Sequence, residues 1–219
     1  MQTEIKITED GSHTLFVPEI DECYHSTHGA IQESRHIFIE AGLKQSSKKE
    51  LSVLEIGFGT GLNAFLTLLE AEKERKTIHF KCLELFPVTV DNISQLNYPQ
   101  LLDVDKKTYF QDIHNCEWNK SAKISTRFDI EKTQVDFTHY VCSDFFDVCY
   151  FDAFSPEKQP EMWTEKSFKM LFDHANPNAV ITTYCAKGSV RRAMKAAGFE
   201  VERLPGPPGK REMLRGRKT

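Results

Sequence analysis

The feature that most constrains the fold is an apolar run that ends in three closely spaced glycines. Residues 51–56 are mostly aliphatic, Gly57, Gly59 and Gly61 follow at intervals of two, and residues 62–75 repeat apolar side chains with helical spacing. This order predicts a buried strand, a tight turn and a helix. Glycines let a ligand approach the backbone of such a turn, and the helix N-terminus adds free N–H donors. The segment therefore predicts a ligand site on an α/β sheet.

The glycine spacing limits which ligand is expected. A dinucleotide fingerprint reads G-x-G-x-x-G, whereas here the third glycine comes one residue earlier and an acidic residue, Glu55, lies on the strand. This pattern resembles motif I of the S-adenosyl-L-methionine (SAM) dependent methyltransferases, whose ligand ends in an amino acid and not in a phosphate. Another nucleotide, or a glycine-rich turn without a ligand, remains an alternative from this motif alone.

A second acidic residue follows the glycine loop. Residues 77–84 alternate as a strand and end at Glu84, just before Pro87. Ligands of doubly wound sheets bind at the carboxyl ends of strands, and a carboxylate there can accept hydrogen bonds from both hydroxyls of a ribose. The alternative is a solvated strand end.

The rest of the chain alternates predicted strands and helices, which indicates an α/β layered sheet. Predicted strands cover 4–7, 14–17, 51–56, 77–84, 123–132, 145–151, 179–185 and 199–202, and predicted helices cover 30–40, 62–75, 88–96, 164–174 and 189–197. One or two further helices are expected within 98–118. At 219 residues we expect a single domain, with a hairpin and helix extension over 1–50 and a core over 51–219.

Asp152 is the strongest candidate for a catalytic residue. It ends the strand at 145–151 and precedes a turn that contains Phe154 and Pro156. That strand should lie beside the first core strand, where the strand order reverses. Asp152 could then orient an amine and take its proton, while Phe154 could face a cation through its ring. Tyr184 ends the next strand and should face the same crevice. The alternative is an Asp that merely begins a turn.

Charge is distributed unevenly along the chain. The net charge is −4, but residues 187–219 hold ten Lys or Arg and three Glu, a net of +7. A basic segment on an acidic body indicates a face that meets phosphate. The candidate phosphate-binding residues are Lys187, Arg191, Arg192, Lys210 and Arg211. We expect Arg217 and Lys218 to be tail charges in solvent. A solvated helix face is the alternative for Lys187, Arg191 and Arg192, and a hairpin connection to a last strand is the alternative for the loop of Lys210 and Arg211.

Several classes of protein are disfavoured. No apolar run approaches the roughly 20 residues of a membrane span, and the N-terminus is too polar for a signal peptide. The six cysteines are scattered without a C-x-x-C pair, and the histidines show no metal-ligand spacing. We therefore expect a cytoplasmic protein with no membrane partner and no metal.

Nearly the whole chain resembles one methyltransferase family, the MnmC-type enzymes that complete wobble-uridine modification in bacterial tRNA. The matching stretches are residues 54–63, 150–156, 158–163, 183–192 and 204–213, with Ser26, 29–30 and 33–35 upstream. The blocks Asp-Ala-Phe-Ser-Pro at 152–156 and Pro-Gly-Pro-Pro-Gly-Lys-Arg-Glu-Met at 205–213 are specific to that family. The resemblance implies a Rossmann-like class I methyltransferase fold with a mostly parallel, seven-stranded sheet.

The resemblance also implies an activity, which is N-methylation of 5-aminomethyl-(2-thio)uridine at tRNA position 34 with SAM as methyl donor. The residues that would border the cofactor are Glu55, Gly57, Phe58, Gly59, Gly61 and Asn63, with Glu84 on the ribose, Asp136 on the adenine amino group and Asp152 at the substrate amine. Asp112 is the alternative to Asp136. Some family members carry a flavin-dependent oxidase half, for which 219 residues leave no room, so no FAD and no processing of a carboxymethylaminomethyl precursor are expected.

Two other kinds of protein remain open from sequence. An aminopropyltransferase of the spermidine-synthase type shares the glycine loop and a strand-end Glu, but it gives no reason for the basic C-terminal segment. A non-catalytic SAM-binding or RNA-binding adaptor would keep the fold without needing Asp152.

Overall fold

The structure is a computed structural model that describes residues 2–102 and 107–219. Its strands are β1 (Glu4–Ile7), β2 (His13–Val17), β3 (Glu22–Cys23), β4 (Glu50–Ile56), β5 (Thr77–Glu84), β6 (Ser121–Lys123), β7 (Phe128–Gln134), β8 (Phe146–Phe151), β9 (Ala175–Thr183), β10 (Glu200–Pro205) and β11 (Glu212–Arg217). Its helices are α1 (Ala30–Ser34, continued by a π-helical turn over Arg35–Glu40), α2 (Leu62–Glu74), α3 (Val90–Ser94), α4 (Tyr98–Leu102), α5 (Lys107–Asn115), α6 (Glu165–Asp173) and α7 (Gly188–Ala197).

The main sheet has eight strands in the order β10-β11-β9-β8-β4-β5-β7-β6. The five central strands, β9, β8, β4, β5 and β7, run parallel, and β11, β10 and β6 are antiparallel additions at the two edges. The chain order reverses at β4, which lies between β8 and β5. The expected class of fold is confirmed, and the sheet has one strand more than the seven expected.

The extra strand corrects one sequence prediction. The alternating residues 123–132 were expected to form one strand, but they span a hairpin in which β6 ends at Lys123 and β7 begins at Phe128. The main-chain N–H groups of Ile124 and Ser125 both donate to the Phe128 carbonyl, which closes the turn. Period-two alternation continues through both arms of a tight hairpin, so it did not reveal the break.

Apolar side chains cover both faces of the main sheet. One cluster contains Phe65, Phe80 and Tyr150, and the other contains Phe151 and Phe168. Tyr150 and Phe151 are neighbours on β8 and point to opposite faces, as side chains on a strand must. Both faces are therefore dry, which suits a parallel sheet with helices on each side.

The N-terminal extension forms a separate small sheet in the order β1-β2-β3, followed by α1. Two helices, α4 and α5, lie in the expected insertion, of which residues 103–106 fall outside the described part of the chain. No helix within 2–102 or 107–219 has both the length and the apolar character needed to cross a membrane.

The sheet brings the predicted strand-end residues to one edge. Ile56 pairs with Phe151 across β4 and β8, and the Asp152 main-chain N–H donates to the Ile56 carbonyl at 2.9 Å. On the other side of β4, the Gly57 N–H donates to the Leu83 carbonyl at 3.0 Å. The glycine loop is therefore held between the ends of its two neighbouring strands.

Candidate active site

A cavity of about 430 Å³ opens at the carboxyl ends of the parallel strands. The glycine loop and the ends of β4, β5 and β8 form its floor, and residues 22–27 of the N-terminal extension form the opposite wall. Its volume lies within the usual range for small-molecule sites. The strand-order reversal at β4 is where ligands of open α/β sheets bind.

Glycine is strongly favoured at two positions of the loop. Gly57 has φ +90°, and a Cβ atom there would lie 2.5 Å from the Asp152 carbonyl oxygen. Gly59 has φ +50°, and its Cβ would lie 2.8 Å from the Tyr24 ring. Any other residue would therefore be both strained and in collision, so the loop stays in close reach of the cavity.

Phe58 also lines the cavity, but the third glycine does not. Gly61 caps the N-terminus of α2 with φ +72°, and a Cβ atom there would collide with the His114 ring at 2.7 Å. Its role is therefore to start the helix where α5 packs closely against it. The sequence prediction that Gly61 borders the ligand remains a prediction.

The Glu84 carboxylate is held in the cavity wall by two main-chain donors. One oxygen accepts from the Gly59 N–H at 3.0 Å and the other from the Phe86 N–H at 2.9 Å. The side chain is thus fixed before any ligand arrives, and its remaining lone pairs can accept hydroxyl hydrogen bonds.

Asp136 follows β7 and also lines the cavity. Its carboxylate accepts from the main-chain N–H and the hydroxyl of Thr138, at 2.8 and 2.7 Å, and lies 3.1 Å from the His139 ring. The Thr138 hydrogen bond lowers the pKa of Asp136, so it is an anion at neutral pH. The alternative residue, Asp112, lies on α5 and does not line the cavity.

Asp152 is the cavity end of a buried polar chain. The Asn63 amide donates to Asp152 at 2.8 Å and to Glu55 at 2.9 Å. Glu55 and Asn63 do not line the cavity, because they lie behind Asp152. One oxygen of Glu55 and the amide oxygen of Asn63 are buried with no hydrogen-bond partner in the described part of the chain.

The protonation of both carboxyls is shifted. The pKa of Asp152 rises to about 7, first because the carboxyl is buried and then because Glu33 lies nearby, while the Asn63 hydrogen bond and the Lys210 charge oppose the rise. Burial raises the pKa of Glu55 well above its ordinary value. Asp152 can therefore exchange a proton near neutral pH, whereas Glu55 favours its neutral form.

Aromatic rings surround Asp152. The Tyr24 and Phe154 rings meet edge to face with centroids 5.0 Å apart. The Tyr184 hydroxyl donates to the Ala153 carbonyl at 2.9 Å, and the Trp163 indole N–H donates to the Phe154 carbonyl at 2.8 Å. The turn that carries Asp152 is therefore braced from both sides, and its rings offer faces to a cation.

Sequence reasoning missed most of the wall contributed by the N-terminal extension. Glu22 accepts from the N–H and hydroxyl of Ser155, and the buried His25 ring lies 2.7 Å from the Thr60 hydroxyl. Tyr24 faces Gly59 and Phe154. The polar and aromatic composition of residues 24–29 and the family resemblance at Ser26 were the only signals in the sequence.

The structure divides the five predicted phosphate-binding residues. Lys210 lies in the cavity wall and not on an outer rim, because its ammonium pairs with Glu33 at 2.6 Å and lies 4.1 Å from the centre of the Tyr184 ring. Lys187, at the N-terminus of α7, forms an ion pair with Glu157. Arg191, Arg192 and Arg211 lie outside the cavity and make no ion pair with the described residues.

The expectation that Arg217 and Lys218 belong to a solvated tail is wrong. Arg217 ends β11, where it faces Glu202 and donates to the Gln45 side chain at 2.9 Å. The Lys218 ammonium donates to the carbonyls of Phe172 and Ala175, both at 2.8 Å. The last strand therefore fixes both side chains.

Known proteins that resemble this chain include methyltransferases and enzymes of tRNA modification. A family described as S-adenosyl-L-methionine-dependent methyltransferase matches residues 100–219. The tRNA 5-methylaminomethyl-2-thiouridine biosynthesis bifunctional protein MnmC of Cupriavidus necator is 31% identical over 90% of this chain, and that of Leptospira borgpetersenii is 30% identical over 90%. This chain covers 32% of each, so it spans about a third of the length of these curated relatives.

Solved structures show the same fold. MnmC2 from Aquifex aeolicus superposes with a TM-score of 0.83 at 24% identity, over 98% of this chain and 69% of that one. Spermidine synthase from Thermotoga maritima gives a TM-score of 0.56 at 12% identity, over 100% of this chain and 72% of that one. A likeness to both enzymes tells us about architecture and does not choose between their reactions. The family match decides the family of the chain, because it covers more than half of the sequence: the chain belongs to the S-adenosyl-L-methionine-dependent methyltransferases.

Proposed function

We propose that this protein transfers a methyl group from SAM to the primary amine of 5-aminomethyl-(2-thio)uridine at the wobble position of tRNA. The observation that carries the proposal is the buried carboxyl of Asp152, which lines the glycine-loop cavity together with the Tyr24 and Phe154 rings and whose pKa burial raises to about 7. The names of the relatives in Cupriavidus necator and Leptospira borgpetersenii support the choice of tRNA and of this nucleoside.

The cavity fits SAM on features that the fold already provides. The close approach at Gly57 and Gly59 suits the methionine part, and the fixed Glu84 carboxylate suits the two ribose hydroxyls. Asp136 suits the adenine amino group. When SAM is bound, its S–CH₃ bond breaks as the N–CH₃ bond forms, so the sulfonium becomes a neutral thioether and the nitrogen loses one proton.

The residues at the reacting end manage the amine and its proton. The amine must be neutral to act as a nucleophile, and Asp152 can accept the proton because its pKa is raised to about 7. The Asn63 amide fixes the orientation of that carboxylate. The rings of Tyr24, Phe154 and Tyr184 would hold a cationic substrate and keep water out.

A basic surface beside the cavity is the proposed site for the tRNA backbone. Arg191 and Arg192 lie in the first turns of α7, which follows β9, and Arg211 lies just before β11. All three therefore lie at the same sheet edge as the cavity. Guanidinium groups that are not engaged in ion pairs can contact phosphates directly. Lys187 is a weaker candidate because Glu157 already partners it.

The activity is tested by incubating the protein with SAM and an anticodon stem-loop RNA that carries 5-aminomethyluridine, followed by nucleoside mass spectrometry. We expect a mass gain of one methyl group on that nucleoside and none on RNA with unmodified uridine. Asp152→Asn should lower the rate by about 100-fold or more while SAM affinity changes little. Wild-type protein that binds SAM but never methylates this nucleoside would refute the proposal.

The RNA surface is tested by the salt dependence of tRNA binding. Replacing Arg191, Arg192 and Arg211 with Gln should weaken binding and lower the log–log salt slope by up to about one per lost phosphate contact. The control variant replaces Lys49, Lys73 and Lys123, which lie at the opposite edge of the sheet, near its amino ends. Equal losses of tRNA affinity in the two variants would mean that the basic charges attract RNA without forming specific contacts.

A further inference from the structure

The ion pair between Glu33 and Lys210 is an unusual component of the cavity wall. Its two charges come from opposite ends of the chain, Glu33 from α1 and Lys210 from the loop between β10 and β11. They meet at 2.6 Å, and Glu33 is only 7% exposed. The second oxygen of Glu33 accepts from the Ser26 main-chain N–H at 2.8 Å. Glu33 is therefore fixed in place, and its partner Lys210 is partly exposed in the cavity wall.

The surroundings of Lys210 carry several titratable groups. On one side lies the Tyr184 ring, 4.1 Å from the ammonium, and on the other lies Glu33. The titratable groups near the pair on the neighbouring elements are Glu22, His25, Asp152, Tyr184 and Cys185, with Asp10 beside His25 and His28 against Gly209. Among these, burial keeps His25 neutral, with a pKa of about 4, and it raises the pKa of Tyr184 and of Cys185.

The two members of the pair act on Asp152 with opposite signs. The Glu33 carboxylate raises the pKa of Asp152, and the Lys210 ammonium lowers it. An amine bound beside Asp152 would feel the same two charges, because a negative neighbour favours its ammonium form and a positive neighbour favours its neutral form. While the pair is intact, the Lys210 ammonium offsets part of the effect of the Glu33 carboxylate.

We propose that the Glu33–Lys210 ion pair is a charge-balancing element of the active site, in which Lys210 offsets the charge of Glu33 so that a bound substrate amine gives up its proton at neutral pH. Lys210 is then a positioning residue for the methyl transfer and not a ligand of the tRNA backbone. This inference rests on the proposed function, since it concerns an amine substrate next to Asp152.

The test uses three variants and the single-turnover rate of methyl transfer at saturating enzyme and SAM, measured from pH 6 to pH 10. At an effective dielectric constant of about 20, a unit charge about 6 Å from a titratable group changes the pKa of that group by about two units. Screening by solvent makes the change smaller. Lys210→Met leaves Glu33 unbalanced and should move the rising limb of the rate to higher pH by about one unit. At pH values below that limb, the rate of this variant should be about tenfold lower than that of the wild type at the same pH.

The opposite substitution should have the opposite effect. Glu33→Gln leaves Lys210 unbalanced and should move the rising limb to lower pH. The double variant Glu33→Gln/Lys210→Met removes both charges and should return the limb to within about 0.3 pH units of the wild type. Lys210→Arg keeps the charge and should retain the wild-type profile.

These outcomes separate charge balance from two simpler roles. If Lys210 is a phosphate ligand, Lys210→Met should raise KM for the RNA without moving the pH profile, as Arg211→Met is expected to do. If the pair only stabilises the fold, the double variant should not recover the wild-type pH profile any better than either single variant does. Calorimetric SAM binding at pH 8 shows whether each variant has folded, and either of these two results with folded variants would overturn the inference.

Failure of the inference differs from failure of the proposed function. Wild-type protein that does not methylate the aminomethyl nucleoside refutes the function. Wild-type protein that does so, with single variants whose pH profiles do not shift in opposite directions, refutes only the role of the ion pair.

Discussion

Replacing Asp152 with Asn should stabilise the protein and inactivate it, and the stabilisation should depend on pH. The carboxyl has a pKa of about 7 in the folded chain, compared with an ordinary value of 3.8. Folding therefore makes its ionisation harder. Asn is neutral at every pH and nearly the same shape, and its side-chain oxygen can still accept the hydrogen bond from Asn63.

The direction in which stability changes with pH follows from the number of protons bound in the folded and unfolded states. Between pH 4 and pH 7 the folded protein keeps a proton on Asp152 that the unfolded chain loses, so this residue lowers stability as the pH rises through that window. The shift of about three units corresponds to a penalty of up to about 4 kcal/mol above pH 7. The penalty is absent only below about pH 3, where both states hold the proton, and at pH 4 it is about 0.6 kcal/mol.

The assay is denaturant unfolding of the wild type and Asp152→Asn at several pH values from 4 to 9. The two free energies of unfolding should be close at pH 4, and the variant should gain 1–4 kcal/mol by pH 8, where about 1 kcal/mol is easily resolved. Methyl transfer measured on the same samples should be at least about 100-fold slower. A stability difference that does not change with pH would refute the assignment of a raised pKa to Asp152, whatever the activity.

Three further outcomes are expected. Gly59→Val should abolish SAM binding in calorimetry, because the residue has a positive φ and its side chain would enter the Tyr24 ring, and measurable binding would contradict the close approach of the ligand. Glu84→Ala should weaken SAM binding by about 1–3 kcal/mol through lost charged hydrogen bonds, and an unchanged affinity would exclude a role for Glu84 on the ribose. Lys218→Met should lower the free energy of unfolding by about 1–3 kcal/mol, because two carbonyls lose their donor, and it should leave the salt slope of tRNA binding unchanged.

Features of the fold were predictable from the sequence where the signal lies within a short stretch of the chain. The strand, glycine loop and helix around Gly57 were predictable because hydrophobic periodicity and glycine spacing are local properties. The convergence of Glu84 and Asp152 was also predictable, since parallel strands end at the same edge of a sheet.

Local patterns misled where one pattern fits two structures. Alternating side chains over residues 123–132 are compatible with one strand and with part of a hairpin, and main-chain hydrogen bonds at Phe128 decide between them. The sequence of a basic segment likewise does not show which of its charged side chains are paired with other residues in the fold. The ammonium of Lys218 meets its carbonyl partners because β11 pairs with β9, and the guanidinium of Arg217 faces Glu202 because β11 also pairs with β10.

The sequence by itself determined the class of fold, the place of the ligand site and the carboxylates at the ends of the central strands. Only the tertiary structure decided the composition of the opposite wall, where Tyr24 faces the glycine loop and Glu33 pairs with Lys210 across a separation of 177 residues. Contacts of this kind leave no periodic trace in the chain. They arise when the N-terminal extension and the β10–β11 loop fold over the same edge of the sheet, and electrostatics then depends on distance in space and not along the sequence.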